Sequence, residues 1–135
     1  MKALADVQAS VIAALKADVP LVTLLGTSDQ IKEVEWQGSD FVYPAVRVET
    51  AITPNEVYCN PDGLEIVIYC MSEKKSSRQC SLVADAVAKV FHDKRGYSSA
   101  GITFVFSRVT RLPYPKQQEG QSIWTSPVEV TAQVK

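Results

Sequence analysis

The stretch from Gly63 to Phe91 constrains the fold more than any other part of the chain, because a strand pattern passes there into a helix pattern within a few residues. Leu64-Glu65-Ile66-Val67-Ile68-Tyr69-Cys70-Met71 is dense in β-branched and aromatic side chains, and both of its alternating faces are largely apolar. Such a run predicts a central strand covered on two sides. Ser76 stands three residues ahead of Gln79, the spacing of a capping box in which the serine accepts from an early helical N–H and the glutamine reaches back. Cys80, Val83, Ala84, Val87, Val90 and Phe91 then recur at three- and four-residue steps. That is the apolar stripe of a helix resting on the sheet, with Val67, Tyr69, Val83, Val87 and Phe91 expected in the core.

The flanking segments supply the other pieces. Leu4, Val7, Val11, Ile12 and Leu15 form an apolar stripe over Ala3–Asp18, and Pro20 is suited to open a short second turn, Leu21 to Leu25, that Gly26 closes. Ile31, Val34 and Trp36 suggest a first strand. From Tyr43, Val46, Val48, Thr50 and Ile52 alternate with Ala45, Arg47, Glu49 and Ala51, a period of two that marks a second strand. The turn-rich segment from Thr53 to Asp62 makes a hairpin with the central strand. His92-Asp93-Lys94-Arg95-Gly96 closes the second helix, with glycine as its left-handed residue. Ile102, Phe104 and Phe106 give a fourth strand, and Ser122–Val134, with Trp124, Val128, Val130 and Val134 on one face, a fifth. The order α-β-β-β-α-β-β predicts an α+β fold: a mainly antiparallel or mixed sheet of four to five strands with two principal helices packed on it. At 135 residues the chain is expected to form a single domain.

Charge is nearly balanced overall, at −1, yet unevenly distributed. Residues 1–65 hold 4 Lys/Arg and 10 Asp/Glu, whereas residues 66–135 hold 10 Lys/Arg and 5 Asp/Glu. Either these are solvated faces of no special meaning, or one side is acidic and another basic, which favours head-to-tail contact between copies. No basic cluster interleaved with aromatics marks a nucleic-acid reader. Three cysteines, Cys59, Cys70 and Cys80, form no C-x-x-C pair and point to a reducing compartment. No apolar run reaches the ~18 residues that span a bilayer, so no membrane partner is expected.

Reactive constellations are scarce. His92 is the sole histidine and sits where a helix would end, a dipole-partner position rather than that of a base. Cys80 opens a helix but falls on its apolar stripe, where burial raises a thiol pKa. Histidine pairs at zinc spacing, cysteine pairs at metal spacing and glycine-rich phosphate loops are missing from the sequence. Neither catalytic residues nor a metal or cofactor site is therefore expected. The polar, proline-flanked segment Leu112–Gln121 is longer than a hairpin needs, and serves either for contact or as idle chain.

The succession Ala17-Asp18-Val19-Pro20-Leu21-Val22-Thr23-Leu24-Leu25-Gly26, Tyr43-Pro44-Ala45-Val46-Arg47-Val48, Leu64-Glu65-Ile66-Val67-Ile68-Tyr69, a Ser-led helix through Ala84-Asp85-Ala86-Val87, and a long final strand with Trp124 resembles the tail-terminator proteins of long-tailed bacteriophages. The likeness covers nearly the whole chain and rests on hydrophobic patterns, not catalytic signatures. It implies a virion protein of the tail and neck, made in the host cytoplasm, that forms a homohexameric ring. The ring would cap the tail tube protein and receive the head-tail connector protein, with DNA passing through its lumen without being bound specifically. A conduit of that kind should not grip phosphates, and the near-zero charge suits it. Candidate contacts in such a ring are acidic Glu33, Glu35 and Glu56 against basic Arg78, Arg108, Arg111 or Lys116, and the loop residues Tyr114, Lys116, Gln117, Gln118 and Glu119, with Tyr114 as the anchor. The alternatives are another phage neck or head-completion protein, or a small enzyme or ligand-binding module on the same α+β frame.

Overall fold

The computed structural model describes residues 3–36, 42–53, 61–74, 76–111, 113–117 and 122–135. Helix α1, Leu4–Lys16, buries Val7, Val11 and Leu15 at the four-residue steps of its stripe. Helix α2, Val19–Leu25, leaves it at 81°. The Asp18 carboxylate accepts from the Leu21 N–H at 3.1 Å, Pro20 lies in the first turn, and Gly26 ends the helix at φ +79°, as the sequence predicts.

Among the described residues seven strands follow, in one sheet: β1 Ile31–Glu33, β2 Ala45–Thr53, β3 Asp62–Ser72, β4 Lys94–Ser99, β5 Ile102–Arg111, β6 Lys116–Gln117 and β7 Trp124–Val134. Helix α3, Arg78–Phe91, separates β3 from β4. The sheet order is β1-β2-β3-β7-β5-β4, with β6 pairing to β7. Only the β1–β2 pair is parallel among the described ladders. The class is α+β, as expected, with a larger sheet than the four to five strands predicted. The first strand stops at Glu33, because Val34 and Glu35 turn away.

β4 is the strand that the sequence pattern concealed. His92 caps α3 in an extended conformation, and the left-handed residue that follows is Asp93, at φ 51°, not a glycine. Gly96 does have a positive φ, +62°, but inside β4, at the level where β5 slips its register on β7 between Phe104 and Phe106. Ala100 and Gly101, both at positive φ, turn β4 into β5 as a tight two-residue hairpin. The proposed capping box at α3 is also not made. Ser76 accepts from the Arg78 N–H at 3.3 Å, but the Gln79 side-chain oxygen accepts instead from the Ser72 hydroxyl, at 2.6 Å, tying the helix to the end of β3.

The three described helices lie on one side of the sheet, α1 and α3 against the strands and α2 against those two helices. There Val46 and Val48 of β2, Leu64, Ile66, Ile68 and Cys70 of β3, Phe104 of β5, and Val128, Val130, Ala132 and Val134 of β7 meet Val83, Val87 and Phe91 of α3 and the stripe of α1. Full burial of each such large side chain contributes ~1.5–3 kcal/mol. The Ser107 hydroxyl donates to the Phe91 carbonyl at 2.7 Å, which closes the core at the end of α3. The opposite face carries none of the described helices. Here the expectation of a strand covered on both sides fails: Val67, Tyr69 and Met71 are only half-buried and Glu65 is exposed.

Candidate assembly surface

The bare face is built in rows, because register partners project from the same side of a sheet. Arg47, Tyr69 and Pro127 form one row across β2, β3 and β7; Glu49, Val67 and Glu129 form the next, and Arg111 of β5 extends it. Met71 and Thr125 lie on the other side of Tyr69, with Lys116 of β6 beside Thr125. Two shallow hollows of about 320 and 280 Å³ open on this strip and share Tyr69 and Thr125.

Local chemistry fixes these side chains. The Tyr69 hydroxyl donates to Glu49 Oε2 at 3.3 Å. Burial, and then the Glu49 charge, push the Tyr69 pKa up, so the phenol stays a donor at neutral pH. Trp36, just past β1, lies against two cations at once, with Lys32 Nζ 4.7 Å and the Arg47 guanidinium carbon 5.7 Å from its ring centre. Arg47 is almost wholly buried and donates from Nη1 to the carbonyls of Gln30, at 2.7 Å, and Val46, at 3.0 Å. Tyr114 is 40% exposed, and the Arg111 guanidinium stacks on its ring at 4.7 Å.

Of the residues predicted from sequence, Tyr114, Lys116, Arg108 and Arg111 share this face, Arg108 opposite Thr131 and Arg111 opposite Glu129. Gln117 pairs with Trp124 in β6. The segment after β5 is therefore not wholly irregular, since Lys116 and Gln117 return to pair with the start of β7. Arg78 begins α3 on the helical side, Glu33 lies in β1 at the sheet edge, and Glu35 is exposed in the turn beyond it. Glu56, Gln118 and Glu119 fall outside the described residues, as does Cys59. Tyr69, Met71, Pro127 and Trp36 were missed as surface residues. The signal was present in the second apolar face of β3, which reads as core although the described residues leave it half-buried.

The helical side has its own patch. Leu24 of α2 and Leu82 of α3, 38% and 40% exposed, flank a hollow that Lys74, Ser76, Arg78 and Gln79 complete. Residues with reactive potential lie elsewhere. The Cys80 thiol donates to the Cys70 carbonyl at 3.3 Å, and burial pushes Cys70 well up and Cys80 up to about 11, so both are neutral thiols at ordinary pH. His92 Nδ1 accepts from the Val109 N–H at 3.3 Å, and its Nε2 lies 3.4 Å from the Asp93 carboxylate. Among the described residues no three His, Cys, Asp or Glu side chains group so as to hold a metal ion, and no single helix is long and apolar enough to cross a membrane.

Neither a family model nor a curated protein matches this sequence. Among solved structures, the fold is shared with a chain from the virion of a native gene transfer agent particle, at a TM-score of 0.78 and 17% identity. The likeness covers 96% of this chain and 95% of that one, and at this identity it is a likeness of fold.

Proposed function

We propose that the chain is a virion assembly protein of a phage-like particle, acting through residues 1–135 as a single domain that forms a ring, of six copies, at the end of the tail tube. The observation that carries this reading is the whole-chain likeness of fold to a chain from a virion, over 96% of this chain. The resemblance of its sequence patterns to tail terminators supports the finer part: the ring caps the tube, joins the head-tail connector and lets DNA pass without gripping it. Its residence in the virion, after assembly in the host cytoplasm, belongs to the same reading. Half-buried Val67, Tyr69 and Met71, on a sheet face that none of the described helices covers, suit a subunit that works in assembly. The contacts are Tyr114, Lys116, Gln117, Gln118 and Glu119 of the loop, Arg78, Arg108 and Arg111, and Glu33, Glu35 and Glu56. None of these has a catalytic task, and no cofactor is invoked.

Inactivating the gene in a particle-producing host tests the reading. Tubes of irregular length, and heads and tails that do not join, are the expected result under electron microscopy. Complete particles in normal yield without the chain would overturn it. A subtler variant removes Lys116–Gly120 and replaces Tyr114 by Ser, which should leave a folded subunit that joins rings or tube ends poorly.

A further inference from the structure

We infer that the ring closes edge to edge: the β1 end of one copy, with Val34 and Val42, seats in the seam between α3 and β5 at the β4 end of the next. This rests on the ring reading above and names its subunit interface.

Shape gives the first argument. β1 and β4 are the two ends of the sheet, so one copy can hold a neighbour at each end at once. β4 stops opposite Ser107 while β5 runs on to Arg111, and beside that overhang lies a hollow of about 350 Å³ floored by half-buried Ala88, Val109 and Pro113. Among the described residues no strand pairs with Val109 on this side; its N–H goes to His92 Nδ1. At the other end Val34 and Val42 are 40% and 56% exposed, and both are held in place. The Val34 N–H donates to the Val48 carbonyl at 2.9 Å and the Val42 N–H to Gln30 Oε1 at 3.3 Å. Fixed apolar side chains at one end and an apolar-floored hollow at the other are the parts of an anchor and its socket.

Charge sorts along the sheet, from end to end. Around the socket Lys89, Lys94, Arg95, Arg108 and Arg111 are exposed, against exposed Asp85 and Asp93, with Glu129 opposite Arg111 on β7. At the β1 end Asp29, Glu35 and Glu49 are exposed and Glu33 is half-buried. The cations of that end, Lys32 and Arg47, lie on the Trp36 ring, and Arg47 is almost wholly buried. Two β4 ends brought together would set cation against cation, and two β1 ends acid against acid, which is unfavourable. The β1 end against the β4 end pairs unlike charges around the valines. That contact uses two different patches, so it is heterologous and either closes into a ring or runs on as a filament.

Charge exchange tests the interface with exposed residues alone. Sedimentation velocity is run on the parent, on Asp29→Lys with Glu35→Lys, on Lys89→Glu with Lys94→Glu, and on all four together. Each pair alone should weaken association at least ~5-fold, and the fourfold variant should recover most of it. A second arm mixes Val34→Asp with Val42→Asp in one chain, whose socket is intact, and Thr110→Trp, which fills the socket and leaves the β1 end intact. Each should be monomeric alone, and the mixture should stop at a dimer. The charge arm stands whether or not these bulkier changes are tolerated by the fold. Charge variants that associate like the parent, or a fourfold variant no better than its parts, overturn this interface and leave the ring standing. A parent that remains monomeric at every concentration, with and without tail tubes, overturns both.

Discussion

The Tyr69 hydroxyl donates to Glu49 Oε2 across the β2–β3 ladder, on the side of the sheet that none of the described helices covers. The bond holds the tyrosine ring against the strip and keeps the carboxylate from turning freely into solvent. Because both partners remain partly wet, Tyr69→Phe should cost no more than ~1 kcal/mol in a urea melt. In the parent, ultraviolet titration should show Tyr69 ionising above the ordinary tyrosine range, since burial and the neighbouring Glu49 charge both oppose the phenolate.

The two faces of the sheet should respond differently to the same insult. Val87→Asp places a carboxylate among fully buried side chains and should cost at least ~3 kcal/mol, enough to unfold a marginal domain. Val67→Asp, on the bare face, should cost under about 1.5 kcal/mol and impair association instead. Thermal melts of both variants, with sedimentation of the second, check this. Equal destabilisation would mean that the Val67 face is core already.

Ser107 links three elements. Its hydroxyl donates to the Phe91 carbonyl at the end of α3, and it lies 2.8 Å from the Tyr97 hydroxyl of β4. Ser107→Ala leaves a buried carbonyl and a phenol without this partner and should cost ~1–3 kcal/mol, whereas Tyr97→Phe should cost less. Denaturant midpoints of the two variants give the comparison.

The buried thiol of Cys80 makes stability depend on alkaline pH. Its pKa is raised from 9.0 to about 11 on folding, so the native state holds its proton where the unfolded chain has lost it. Below pH 9 the stabilisation is fully present; it declines as pH rises toward 11, at a total on the order of 2 kcal/mol. Cys80→Ala should flatten part of that decline. The slope that remains comes from Cys70, Tyr69 and Tyr97, whose pKa values are raised as well. Native Cys80 should also react slowly with alkylating reagents until the chain unfolds.

Periodicity alone located both long helices, the long strands and most of the core, because the stripes of α1 and α3 and the alternation in β2 and β7 are strong local signals. β4 escaped because Lys94, Arg95, Ser98 and Ser99 do not alternate with apolar residues: it is an edge strand, mostly wet, held by its partner and not by its own pattern. β6 is two residues long and has no pattern to read. The candidate surface was half legible. Tyr114 and Lys116 stand out in a polar loop, but Tyr69 and Met71 look like core from sequence, since sequence pattern gives their apolar character and not the half-buried face on which they lie.

Native mass measured across a range of concentrations tests the central claim most directly. A ring-forming assembly protein gives a discrete species at six times the 14.8 kDa chain, growing at the expense of monomer and weakened by added salt where charged pairs set the contact. A chain that stays monomeric throughout, and does not assemble on tail tubes, would contradict it.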